Sequence, residues 1–410
     1  MNEATLLFVQ NHSDEDVRTL AFQANRYPDV DMPWALDQIR GRQMARFKLP
    51  TWASHDRIVY PPHLSMEQCS SEKTARYKAA IAKRLLQIPV EQSLLEHNTT
   101  LVDLTGGFGV DFSFLSSLFD SATYVEQQPH LCELARHNFQ TLKLGNVRVE
   151  NGNGIDCLQQ MSHSTMIYLD PARRDEHGRK TYSIKDCTPN VTQYIDNLLL
   201  KCDYLLLKLS PMLDWHEAVD ELKGVIEVHI VSVGGECKEM LLVLSAHSCQ
   251  PLKLICVNDG QRFCCEARTA TESVPLEETV KQKLTAGSLL LEPNASIMKA
   301  GCFKELEAAF SLVALSPNSH LFVPRLPNAN NCLKKNFPGR VFEIIAVSTF
   351  NKKELSRNLA NLKQANIAVR NFPMTVNELR KRLKLKDGGD NYLFATTLGK
   401  RDHLLIIAKK

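Results

Sequence analysis

The chain has 410 residues, 44% of them hydrophobic and 23% charged, with a formal net charge of +3. That is enough apolar material for a packed core and for two to four domains, and it excludes a disordered chain. There is no run of about 18 apolar residues, and Met1 to Gln10 carries Glu3 but no Lys or Arg, so neither a membrane span nor a secretory leader is expected and a cytoplasmic location is.

From Thr5 to about Gln87 the periodicity is helical and the residues are largely polar, with turns at Tyr27-Pro28, Asp31-Met32-Pro33 and Tyr60-Pro61-Pro62, which predicts a small helical domain. Between Leu101 and Ser245 short apolar runs alternate with amphipathic stretches. LVDL, ATYVE, VRVE, MIYLD and YLLLKL read as strands buried on both faces, with DFSFLSSL, PHLCELARHNFQTL, VTQYIDNLLL and WHEAVDEL as the helices between and after them. That rhythm predicts an α/β fold, a Rossmann-like doubly wound sheet that is mainly parallel. The last two runs, VIEVHIVSV and MLLVLS, lie too close together for a crossover helix and should pair antiparallel at one edge. Order is lost after Val257 to Asp259, and Thr271 to Lys283 reads as a linker. A compact piece follows over Ser288 to Phe322, with a helix near Phe303 to Phe310, and a final α+β module fills Arg340 to Lys410.

Charge divides unevenly along this order. Leu321 to Lys410 holds 18 Lys+Arg against 6 Asp+Glu, leaving 31 against 40 for the rest, so a module of +12 is joined to a body of −9. A basic module on an acidic body suits a partner with a phosphate backbone, although a merely soluble basic domain has the same composition. The twelve cysteines include no C-x-x-C pair; Cys264 and Cys265 are vicinal, and others, such as Cys202 and Cys256, sit in apolar runs. They read as reduced, mostly buried thiols, and no metal is expected.

The turn after the first strand carries the most chemistry. Asp103-Leu104-Thr105-Gly106-Gly107-Phe108-Gly109-Val110-Asp111 joins strand to helix, where glycines let backbone approach a ligand at the helix N-terminus. A dinucleotide site would want a third glycine near Phe112, which is absent; Asp103 at the strand end suits the ammonium of a methionine moiety instead. Glu126 ends the next strand, 23 residues after Asp103, at the spacing where an acid accepts both ribose hydroxyls. The loop after the third strand, Glu150 to Asp156, offers an adenine edge either Asn153 or Asp156.

On these residues the segment from Thr100 to Ser245 resembles class I methyltransferases that use S-adenosylmethionine (SAM). The whole chain resembles bacterial methyltransferases with a THUMP-like C-terminal domain, on the stretches SMEQCSSEKTARYKA (Ser65 to Ala79), DLTGGFGVD, LDPARR, EPNASIMKAG (Glu292 to Gly301) and RNFPMTVNELRKRLKLKDGGDNYLFATTL (Arg370 to Leu398). The resemblance implies an N-terminal helical domain over 1–95, a SAM-dependent domain over 96–270, a small ferredoxin-like segment over 271–325 and a basic THUMP-like domain over 326–410. It also implies SAM as cofactor, with Asp103, Thr105, Gly106, Gly107, Gly109, Asp111, Glu126, Asn153 and Asp156 as its expected contacts, and RNA as the expected partner.

The fold puts the catalytic corner at the end of the fourth strand, in Asp170-Pro171-Ala172-Arg173-Arg174. Amino-methylating relatives have D/N-P-P-Y/F there; this chain keeps Asp170 and Pro171 but lacks the second proline and the aromatic, which argues against an exocyclic amine. Arg173 or Arg174 could stack on a base or fork onto a phosphate, or pair with Asp175 or Glu176. Covalent uracil C5 chemistry needs a cysteine after the fifth strand, where Ser210-Pro211 stands instead. Ser65 to Ala79 reads either as a cover for this pocket or as a plain helix cap.

In the C-terminal module Val376, Leu379 and Leu383 fall on one helix face and leave Arg380, Lys381 and Lys384 on the other. With Arg370, Lys352-Lys353 and Lys334-Lys335, and with Phe372 and Tyr392 for stacking, they form the candidate RNA-binding set. The leading expectation is an RNA base methyltransferase. The alternatives are a catalytically silent RNA-binding protein that keeps the fold, and a methyltransferase acting on a protein or a small molecule.

Overall fold

A computed structural model of the chain describes residues 2–87, 98–172, 183–247, 250–267, 282–326, 330–360, 362–399 and 402–410. Two compact units result, one formed by Met1–Val228 with Met240–Gln250, the other by His229–Glu239 with Pro251–Lys410. The linker expected over Thr271 to Lys283 lies, to residue 281, outside the described residues.

Among the described residues the first unit opens with six α-helices: α1 (Glu3–Asn11), α2 (Val17–Phe22), α3 (Met32–Lys48), α4 (Pro50–Ala53), α5 (His63–Gln68) and α6 (Glu72–Leu86). Four of them start on a side chain that satisfies an unpaired N–H of the first turn: Asn2 accepts from Thr5, Asp16 from Thr19, Asp31 from Trp34 and Ser71 from Thr74. Phe8, Leu20, Met32, Ala35 and Ile39 close one small core. A second core, around Leu49, Trp52, Ile58, Tyr60 and Met66, takes in Phe108 and Val110 from the turn after the first strand. Asn138, fully buried, accepts from Val59 N–H and donates to Val59 C=O, as a neighbouring strand would.

The alternating segment folds as β1 (Thr100–Asp103), α7 (Val110–Ser116), β2 (Ser121–Glu126), α8 (Pro129–Thr141), β3 (Val147–Asn151), α9 (Gly154–Gln160), β4 (Ser164–Leu169), α10 (Val191–Leu200), β5 (Cys202–Leu209), α11 (Trp215–Glu221), β6 (Val225–Val233) and β7 (Glu236–Leu244). Within this segment the strand order is β3-β2-β1-β4-β5-β7-β6, part of a nine-stranded sheet, so the last two runs are neighbours as expected but do not form its edge. β1 to β5 run parallel and β7 runs antiparallel to β5. β6 and β7 are joined through Gly234 and Gly235, both at positive φ, a two-residue turn that only glycines enter without strain. The strand order reverses between β1 and β4, and the register Asp103↔Tyr168 and Leu169↔Leu207 brings the C-terminal ends of β1, β4 and β5 level. Open α/β sheets bind ligands at that reversal.

In the second unit β8 (Lys253–Asn258) and β9 (Gln261–Glu266) form a hairpin through Asp259 and Gly260, where the sequence pattern predicts that regular order ends. Among the described residues the remaining elements are β10 (Leu289–Pro293), α12 (Ala295–Ala300), α13 (Phe303–Phe310), β11 (Leu312–Ala314), β12 (Phe322–Pro324), α14 (Asn330–Asn336), β13 (Gly339–Thr349), α15 (Lys352–Leu359), β14 (Asn366–Arg370), α16 (Val376–Leu383), β15 (Asn391–Leu398) and β16 (Asp402–Lys409). One seven-stranded sheet, β11-β12-β10-β13-β16-β15-β14, carries both of the pieces that the sequence presents separately, because β10 pairs with β13. Alternate residues serve its two faces: Phe394, Leu404 and Ile406 join one core, Leu393, Ala395, Leu405 and Ile407 the other.

Trp52 is 1% exposed at the join between the N-terminal helices and the sheet, with its ring edge-on to Phe108 and its Nε1 donating to Ser113 Oγ at 3.3 Å. Trp52→Ala should destabilise the first unit by about 3 to 5 kcal/mol. Urea unfolding followed by circular dichroism measures it; a loss below about 1 kcal/mol would mean that the helices and the sheet do not share this core.

Candidate active site

At the end of β1 the Asp103 carboxyl is almost wholly buried, and Oδ1 accepts from the N–H of Thr105 at 2.9 Å. Burial, together with the nearby Asp111, Asp170 and Glu126 charges, raises its pKa well above the ordinary carboxylate value against the pull of the Thr105 N–H. The Thr105 hydroxyl accepts the backbone N–H of Asp170 at 2.7 Å, which ties the glycine turn to the end of β4.

The glycines divide by cause. A Cβ on Gly106 would stand 2.3 Å from the Tyr124 ring, one on Gly109 2.7 Å from Phe139, and one on Gly154 2.1 Å from the carbonyl oxygen of Leu104. These three permit close packing. Gly107 differs: at φ +56° it has only the Thr105 carbonyl near it, at 3.8 Å, so its face is open. Its N–H donates to Glu126 Oε2 at 2.8 Å, while Oε1 accepts from the N–H of Gln128 at 2.9 Å. Two backbone donors thus hold the Glu126 carboxylate beside the open glycine. Asn153 caps α9, its side chain accepting from Ile155 N–H at 2.8 Å, and Asp156 is exposed on that helix's first turn. The sequence pattern predicts a loop here; the Asn153 cap starts a helix instead.

Asp170 follows β4, half-buried, and Pro171 is next. Ala172 is locked into a short antiparallel bridge with Thr188, N–H to O at 2.7 and 3.1 Å. Arg173 and Arg174 lie outside the described residues. The corner's other component is one that sequence reasoning missed: Lys208, 4% exposed near the end of β5, with Nζ 2.5 Å from Asp170 Oδ2 and 3.9 Å from Asp111 Oδ2. Asp111 accepts at Oδ2 from Ser70 Oγ and from the Tyr168 hydroxyl, each at 2.7 Å, and its Oδ1 is 3.2 Å from Nζ of the fully buried Lys78. Lys78 also donates to Ser70 Oγ at 3.2 Å. Burial alone would raise the Asp111 pKa, but the Lys78 and Lys208 ammoniums hold it below the ordinary value. Asp111, predicted as a cofactor contact, therefore stands inside a buried ion cluster. The Ser65 to Ala79 segment feeds that cluster with Ser70 and Lys78, while Ser71 caps α6.

Both lysines left a trace in the sequence. Lys208 interrupts the apolar run YLLLKL, and Lys78 shares a helix stripe with Ala75, Ala82 and Leu85. A charge on a buried face calls for a partner.

Two clefts of about 570 and 410 Å³ also open in the first unit, the former lined by His55, Arg57, His137 and Lys143, the latter by Trp34, Ile58 and Tyr60. Neither includes a residue of the crevice. Convergence of acids, lysines and strand ends, rather than cavity size, marks the candidate site. Among the described residues there is no group of three or more His, Cys, Asp or Glu able to hold a metal ion, and no helix long and apolar enough to cross a membrane.

In the second unit the predicted RNA-binding residues do not form one face. Arg370 pairs with the buried Glu292 at 2.7 Å, and Arg340 binds the same carboxylate. Arg380 turns back to Asp387 at 2.6 Å and to the Ala365 carbonyl. Lys381 stays exposed on α16, and Lys384 is exposed just past it as the left-handed C-cap. Phe372 packs on Phe350 and His403, and Tyr392 on Phe342 and Phe394, so both rings already have intramolecular partners.

Lys78→Met should lower stability by about 3 kcal/mol at neutral pH, since it leaves Asp111 buried with half its compensation. The depressed Asp111 pKa adds stability above the ordinary carboxylate range, and that stability is lost as pH falls through the lower folded value. The gap between wild type and variant should therefore narrow in acid. Urea titrations at pH 7 and pH 3 check it, and a constant gap would contradict the buried pair.

Two family models match the second unit, a ferredoxin-like domain over 289–330 and a THUMP domain-like model over 339–410. Among solved structures, a putative methyltransferase from Porphyromonas gingivalis W83 is similar over 99% of this chain and 97% of its own, with 28% identity and a TM-score of 0.81. A SAM-dependent methyltransferase from Agrobacterium tumefaciens matches 43% of this chain and 63% of its own at 15% identity and TM-score 0.31. A putative methyltransferase from Escherichia coli matches 42% and 87% at 20% identity and TM-score 0.29. No curated protein matches the sequence. The chain has the Rossmann-like α/β fold of class I methyltransferases, is similar along nearly its whole length to the Porphyromonas protein, and ends in a THUMP-like domain.

Proposed function

We propose that the chain is a SAM-dependent methyltransferase whose acceptor is an RNA base, with the basic C-terminal domain docking the RNA. One observation carries the catalytic half: at the strand reversal, Asp170 is tied to the glycine turn through Thr105 and to β5 through Lys208, beside an open Gly107 and a positioned Glu126. SAM, when bound, supplies a methyl group already activated on a sulfonium. This chain's residues then need only bind and orient. Glu126 is suited to the ribose hydroxyls and Asp103 to the methionine ammonium. The open backbone at Gly107 lets the ligand approach, and Asp170 with the Pro171 carbonyl faces the acceptor. The RNA half is supported by the THUMP-like match and the 18 to 6 excess of basic residues after His320.

Glu126→Ala removes a charge-assisted contact of roughly 1.5 to 3 kcal/mol, so calorimetry should give SAM affinity lower by about 10- to 100-fold. Unchanged affinity would put the ribose elsewhere. For the acceptor, total RNA from a strain lacking the protein is incubated with labelled SAM and the pure protein. Label in ribonuclease-sensitive material supports the reading; label elsewhere, or none, overturns it.

Reversing the exposed Lys381 and Lys384 to Glu tests the docking surface. Log affinity for single-stranded RNA against log salt should flatten by about 0.7 for each phosphate that the variant no longer neutralises. Fluorescence anisotropy at several salt concentrations reads this, and equal slopes would remove α16 from the interface.

A further inference from the structure

Along one line through the first unit, ammonium and carboxylate alternate: Lys78, Asp111, Lys208, Asp170, at 3.2, 3.9 and 2.5 Å. Both lysines are buried, and Asp170, the last member, is the most exposed at 32% of its side chain. Ser70 and Tyr168 add neutral donors to Asp111, so the anion behind Lys208 is fixed from several sides. A lysine held this way keeps its Nζ on Asp170 Oδ2.

We infer that Lys208 sets the charge of the acceptor side of the crevice, occupying the Asp170 carboxylate so that it cannot pair with a cationic ligand group. This rests on the reading that the crevice binds SAM. A sulfonium is positive before methyl transfer and a neutral thioether after it, so its charge is already fading in the transition state. A carboxylate left to pair with that cation would stabilise the reactant more than the transition state and slow the reaction. Lys208 removes the opportunity while leaving Asp170 in place to orient an acceptor. It acts through Asp170 and is a positioning residue.

The test compares binding of SAM with binding of S-adenosylhomocysteine, its neutral product, to the full chain by calorimetry. The quantity read is the ratio of the S-adenosylhomocysteine Kd to the SAM Kd, which a purely structural role would leave alone. Lys208→Met should raise this ratio by about 5- to 10-fold, because one unit charge has been removed near the cation. Lys208→Arg, which restores the charge, should stay within about twofold of wild type. Asp170→Asn should move the ratio the other way by a similar factor. If Lys208→Met and Asp170→Asn bind both ligands with an unchanged ratio, the inference is overturned. Should Lys208→Met fail to fold, as judged by circular dichroism, Lys208→Gln, which keeps a hydrogen-bond donor at Asp170 without the charge, decides in its place: a raised ratio supports the inference and an unchanged one overturns it. Wild-type protein that binds neither ligand would instead overturn the cofactor reading beneath it.

Discussion

Lys208 placed between Asp170 and Asp111 is the contact on which the rest of the site depends. Each of these charges would be costly to bury alone, and the low-dielectric surroundings that make isolation expensive also make the pairing strong. Lys78 completes the arrangement from α6, and Ser70 and Tyr168 supply the remaining donors to Asp111. The N-terminal helices therefore contribute residues to the wall of the crevice, in addition to packing Trp52 against Phe108. A methyltransferase domain cut at the start of β1 would lose both.

Much of this architecture is legible in the sequence because it is local. Buried parallel strands read as short apolar runs, and all five stand where the runs stand; the close spacing of VIEVHIVSV and MLLVLS likewise foretells their hairpin. Asp103 and Glu126 are legible through their spacing, which follows from one strand, one helix and the next strand end. What is not legible is mostly long-range. Lys78, Lys208 and Asp111 are 130 residues apart from first to last, and nothing in any one window says that their charges meet. The β10–β13 pairing that merges two pieces into one sheet has the same cause. The hairpin of β8 and β9 is hidden because Cys264-Cys265 and the polar Gln261-Arg262 blur its alternation.

A charge run also says less than its composition suggests. Arg370, Arg380 and Arg340 add to the basic excess of the C-terminal module, yet each is paired, two of them on the buried Glu292. Lys381 and Lys384, on and just past the exposed turn of α16, are exposed, as are Lys335 on α14 and Lys352 and Lys353 on α15. The distinction matters for RNA, since counterion release counts only cations that reach phosphate. The composition of the module supports a polyanion partner, and side-chain geometry narrows which residues would meet it.

The central claim is that Asp170 orients an acceptor for methyl transfer, so the most direct measurement pairs transfer with binding in one variant. Asp170→Ala should lose methyl transfer from labelled SAM to RNA while calorimetry finds SAM affinity within about tenfold of wild type. Transfer that persists in the variant at the wild-type rate would contradict the account.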